Sequence, residues 1–106
     1  MHFPATLEIL GKTWTVEILP ESRLNARREV GEIVYTHTSI AVEDGQSEEQ
    51  AIDTLLHEAI HAIDYTMAIG LEERQVHALS SGLYALLKQN PALLALFNRP
   101  EDEHGG

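Results

Sequence analysis

The order of apolar and polar positions divides the chain into a strand-like first half and a helical second half. Thr6-Leu7-Glu8-Ile9-Leu10 and Thr13-Trp14-Thr15-Val16-Glu17-Ile18-Leu19 alternate with period two on either side of Gly11-Lys12, which predicts two strands joined by a tight turn. Pro20 ends the second strand, because it has no N–H to give to a ladder. Glu21 to Val30 is polar and holds three of the seven basic residues, and it reads as a loop or a short irregular helix. A second pair of strands, Gly31 to Tyr35 and Thr38 to Glu43, shows period-two patterning and β-branched residues, and Asp44-Gly45 closes it.

The second half changes to helical spacing. Ser47 with Gln50 three residues on forms a capping box, and Glu48 and Glu49 put negative charge where the helix dipole favours it. Ile52, Leu55, Leu56, Ala59, Ile60, Ile63 and Met67 then make one apolar stripe that Gly70 terminates. A second helix, Leu71 to Gln89, is expected to bury Val76, Leu79, Leu83, Leu86 and Leu87. Asn90-Pro91 supplies a cap and a first-turn proline for a short helix from Ala92 to Phe97. These elements predict one α+β domain over residues 1–98, with a small twisted antiparallel sheet packed beside the helices, and a polar, flexible tail over 99–106.

Composition narrows the chemistry. A chain of 106 residues, 43% of them hydrophobic, has enough apolar surface for one core. With no cysteine, disulfides, thiol nucleophiles and thiolate-held zinc are excluded, so a metal would need His, Asp or Glu. Seventeen acidic residues against seven basic ones, a formal charge of -10, disfavour polyanionic partners such as nucleic acid or anionic membrane. No apolar run approaches the ~20 residues that span a bilayer, and MHFPATLEIL has neither a basic leader nor a signal-like core, so a soluble, cytoplasmic protein is expected.

Within the first helix lies TLLHEAIHAID, Thr54 to Asp64. Residues four apart on a helix project side by side, so His57 and His61 can present two imidazole nitrogens to one ion. Glu58 falls on the adjoining flank, within reach of a water on that ion. This is the chemistry of H-E-x-x-H: zinc lowers the pKa of its water towards about 7, and the carboxylate serves as general base.

A catalytic zinc usually takes a third protein ligand. Metzincins supply it six residues after the second histidine, where this chain has Met67. Gluzincins take a glutamate from the following helix, where this chain offers Glu72 and Glu73. Glu73, His77, Ser80 and Tyr84 form a polar stripe beside the leucines, which favours Glu73; Glu72 aligns with Val76 and Leu79 and reads as a first-turn dipole charge. His77 has three readings, as a substitute ligand, as a hydrogen-bond donor to a transition-state oxyanion, or as a structural histidine, and Tyr84 shares the second. Asp64 reads either as a carboxylate that orients an imidazole or as a solvated charge.

Strands followed by TLLHEAIHAID, a short connection and LEERQVHALSSGLYALLKQNP resemble the small zincin-like metallopeptidases of phages and prophages, and the size and ligand set are similar to those of minigluzincins. The resemblance spans roughly residues 31–91. It implies a zincin-like fold, zinc held by His57, His61 and Glu73, Glu58 as general base, and a peptide or protein substrate whose backbone pairs with Thr38 to Val42. It also implies possible latency, with His104 in the tail as a blocking ligand. The rival expectations are a latent or regulatory zinc-binding phage protein without turnover, and an acidic interaction module that holds no metal.

Overall fold

The computed structural model describes residues 3–20 and 31–98. They form a small α+β domain of four strands and three α-helices: β1 (Thr6–Ile9), β2 (Lys12–Leu19), β3 (Gly31–Val34), β4 (Ser39–Glu43), α1 (Glu48–Met67), α2 (Glu73–Gln89) and α3 (Pro91–Phe97). The segments 21–30 and 99–106, and with them the expected loop, tail and His104, lie outside the described residues.

β1 and β2 form the expected hairpin, with Leu7 opposite Trp14 and Ile9 opposite Lys12. Leu10 and Gly11 both have positive φ, 49° and 85°, as a two-residue turn matched to the twist of its strands requires. Beyond the hairpin the sheet departs from the all-antiparallel expectation. Its order is β1-β2-β4-β3, with β2 and β4 parallel and β3 antiparallel to β4. The reason lies in β4 itself: Ile40, Ala41, Val42 and Glu43 are all buried, so both faces of this strand are covered. Such a strand belongs inside a sheet, whereas period-two patterning marks only one buried face. The shorter β3 takes the edge.

One face of the sheet carries Ile9, Trp14, Ile40 and Val42, which form the core with Ala51 and Ala62 of α1; Leu7, Ile33, Leu55, Ala59 and Ile63 pack around them. α1 therefore lies across the sheet, but on a face turned from the expected stripe: Ala51, Thr54, Glu58 and Ala62 are buried, Leu55, Ala59 and Ile63 of the stripe pack around the core, and Met67 is 60% exposed. Its start is fixed as expected, with the Ser47 hydroxyl accepting from the Gln50 N–H at 3.2 Å. Its end is not: the helix stops at Met67, with Ala68 in the left-handed region, and Gly70 follows as part of the turn.

α2 packs on α1 rather than on the sheet. Its buried side chains are Val76 and Ser80, one turn apart, while Leu79, Leu83 and Leu86 stay 45%, 38% and 46% exposed. The expected burial of these three leucines is thus corrected. A lone neighbouring helix offers one line of contact, and the small Ser80 permits the closest approach along it. α3 begins at Pro91 in the first-turn position, and the Asn90 side chain satisfies the Leu86 carbonyl at the end of α2. No helix among the described residues is long and apolar enough to cross a membrane.

Candidate metal centre

Helical spacing brings His57 and His61 together on α1, with ring centroids 4.9 Å apart. The two imidazoles are nearly covered, at 18% and 19% side-chain exposure. Glu58 is more deeply placed, at 7%. It lies on the line of Ala51, Leu55 and Ala62 that packs against the sheet, so its carboxylate is held beneath the histidines rather than out in solvent. One ligand atom from each of His57, Glu58 and His61 lies within 4.8 Å of the other two.

Glu73, the first residue of α2, reaches across to both histidines. Its Oε1 stands 2.5 Å from His57 Nε2 and its Oε2 stands 2.9 Å from His61 Nε2. The structure thereby brings together His57, His61 and Glu73 as the sequence suggested, although by a different packing. Val76 and Ser80 seat α2 on α1, which brings the Glu73 carboxylate to both imidazoles while 67% of its side chain stays exposed.

A single carboxylate fixes the turn that makes this meeting possible. Asp64 Oδ1 accepts the N–H groups of Gly70 at 2.8 Å and Leu71 at 3.0 Å, and the Asp64 carbonyl accepts from Ile69. Asp64 therefore braces the α1–α2 turn, its carboxylate engaged by backbone amides rather than by an imidazole. Glu72 is committed in a similar way. It caps α2 in a reciprocal box with Gln75, whose side chain accepts from the Glu72 N–H at 2.8 Å. A carboxylate that caps its own helix is already engaged, which leaves Glu73 as the one aimed at the histidines.

His77, one turn along α2 from Glu73, stands 6.1 Å from His57 between ring centroids and is exposed. It belongs to the same group of rings. Tyr84 does not: its hydroxyl accepts from Lys88 Nζ at 3.2 Å, two helical turns beyond His77. The rise of the helix puts it about 10 Å farther from the histidines. The Tyr84 hydroxyl is thus paired with Lys88 and is not brought into the group of histidines.

A different tyrosine is near the site. Tyr35, just after β3, stacks on Tyr65 at 4.4 Å and meets buried Trp14 edge-on at 6.2 Å. Tyr65 is four residues beyond His61 and continues the line of the two histidines. Desolvation first, and then the negative charges of Glu58, Asp64 and Glu73, push the Tyr35 hydroxyl above its ordinary pKa. Its phenol therefore keeps its proton and remains a donor at the margin of the site. The sequence carried half of this signal in the spacing of His57, His61 and Tyr65; the partner from the turn after β3 needed the fold.

Neither a family model, nor a curated protein, nor a solved structure matches this chain. The donor set itself is the test of whether a metal fits. Ligand atoms around a tetrahedral zinc stand roughly 3.3 Å apart at bond lengths near 2.1 Å. The observed 2.5 and 2.9 Å pairs would open by less than about 1 Å to admit an ion. Two imidazoles and one carboxylate suit a transition-metal ion such as zinc, copper, iron or nickel better than calcium or magnesium, which prefer oxygen throughout.

Proposed function

We propose that this protein is a zinc-dependent metallopeptidase of zincin-like, gluzincin type, with His57, His61 and Glu73 as metal ligands and Glu58 as general base. The observation that carries the reading is the span of one carboxylate across both imidazoles, from a separate helix whose entry turn is braced by Asp64. Surface histidines of an interaction module would have no need of such a brace.

Bound zinc would lower the pKa of a water and polarise a carbonyl. Glu58, buried beside the imidazoles, takes the proton of the attacking water and returns it to the departing amine. Tyr35 and His77 flank the ligands as hydrogen-bond donors for the carbonyl oxygen. The substrate backbone would lie along β3. The expected strand, Thr38 to Val42, is ruled out for that role because β4 is bonded on both sides, to β2 and to β3. Among the described residues the open edges belong to β1 and β3, and β3 leads directly into Tyr35.

The deciding experiment is elemental analysis of protein purified without a histidine tag, run beside peptide hydrolysis. About one zinc per chain is expected, lost or greatly weakened in Glu73→Ala and kept in His77→Ala. Glu58→Gln should keep the zinc and lose turnover by at least ~100-fold. A chain that takes up no metal after zinc is added back is an interaction module instead. Metal retention with no turnover in the wild type would favour the regulatory zinc-binding reading.

A further inference from the structure

We propose that the leucine face of α2, together with α3, is where a second copy of this chain docks. The inference stands apart from the metal centre. Leu79, Leu83 and Leu86 recur at helical spacing and are 45%, 38% and 46% exposed; on α3, Leu94 and Phe97 lie one turn apart at 41% and 77%. α3 packs on α2, and the five side chains together expose on the order of 500 Å² of apolar surface, against the roughly 300–600 Å² that the largest patch of a typical monomer shows. Two such faces bury roughly 1,000 Å² from these side chains alone, and a polar rim brings that into the range of specific, stable interfaces.

Charge identifies the occupant as the chain itself. From Arg74 to Pro100 there is no acidic residue, whereas Arg74, Lys88 and Arg99 are basic; all seventeen acids and only four bases lie elsewhere. Contact through the sheet or α1 would set like charges against each other. Contact of α2–α3 with its own twin buries the acid-free face and holds the two acidic bodies apart. The face is also self-complementary in chemistry, apolar against apolar, which suits a two-fold, isologous pair. Segment 99–106 is no rival occupant, because RPEDEHGG has no large apolar residue to offer.

Sedimentation equilibrium of the full chain tests this. A concentration-dependent dimer is expected by about 100 µM, tightening as salt is raised because repulsion between the acidic bodies is screened. Leu83→Glu and, separately, Phe97→Asp should weaken the dimer at least tenfold while far-ultraviolet circular dichroism and zinc content stay unchanged. Both residues are exposed in the monomer, so its fold does not depend on them. A wild type that remains monomeric at that concentration overturns the proposal, whether or not it captures an amphipathic acidic peptide instead. A dimer indifferent to both substitutions also overturns it.

Discussion

α1 and α2 are both long amphipathic helices, of 20 and 17 residues, yet one covers its apolar face and the other displays it. α1 lies across the sheet, whose breadth lets Ala51, Leu55, Ala59, Ala62 and Ile63 all find partners. α2 has only α1 to pack on, and it seats Val76 and Ser80 while its leucines face outward. The difference teaches that periodicity tells which face of a helix is apolar; whether that face is covered depends on how much surface the neighbour supplies.

The largest way to break this contrast is to cut the same kind of side chain from each helix. Leu55→Ala on α1, where Leu55 packs against the sheet core, should cost about 2 kcal/mol in urea denaturation. Leu83→Ala on α2, measured at concentrations where the chain is monomeric, should stay within about 0.5 kcal/mol. Equal costs would mean that the two faces are equally buried in solution.

Metal should change the contrast by tying the start of α2 to α1. With zinc at ~100 times its dissociation constant, stability should rise by roughly 2.7 kcal/mol, and a chelator should remove the gain. Glu73→Ala should abolish most of that response in a thermal melt. A gain of unchanged size in the variant would exclude Glu73 as the group that couples the helices.

Asp64→Ala probes the turn between them. Losing an ionised acceptor for two backbone N–H groups should cost about 1.5 kcal/mol. It should also speed hydrogen exchange at Gly70 and Leu71 and weaken zinc binding. If zinc affinity were untouched while the amides exchanged faster, the turn would not position Glu73.

The smallest expected effect is the alkaline behaviour of the metal-free protein. The Tyr35 pKa is raised in the folded chain, so its contribution to stability is whole below about pH 10 and fades as pH climbs through the raised value. Lys88, raised chiefly by its hydrogen bond with Tyr84, fades in the same direction at similar pH. Tyr35→Phe should therefore flatten the loss of stability above pH 10 without removing it. An unchanged slope in that variant would place the loss elsewhere.

The sequence was most legible where a local rule governs. Alternation located the strands, Ser47 and Pro91 marked the starts of α1 and α3, and four-residue spacing set His57 beside His61. It was less legible where a distant partner decides. Alternation in the stretch ending in Glu43 could not show that both faces of β4 are covered, so the parallel pairing with β2 was missed and the substrate strand was placed on an interior element. Asp64 looked like an imidazole partner because it follows His61 on one face, yet amides freed by the chain reversal claimed it. Periodicity puts Glu73 on a polar stripe beside the leucines of α2, and it meets the histidines although those leucines are exposed.

The position of β4 has a consequence for how the chain assembles. β4 is the last strand made and the one that joins the β1–β2 hairpin to β3. During synthesis the hairpin must wait, with the ladder edge of β2 open, until Glu43 has emerged and the strand can slot between its neighbours. Pairing β4 with β3 closes a short loop and pairing it with β2 a long one, so the larger entropic cost falls on the parallel ladder. Until β4 arrives the chain carries an open ladder edge on β2, and α1, next along the chain, supplies the apolar cover of the finished sheet.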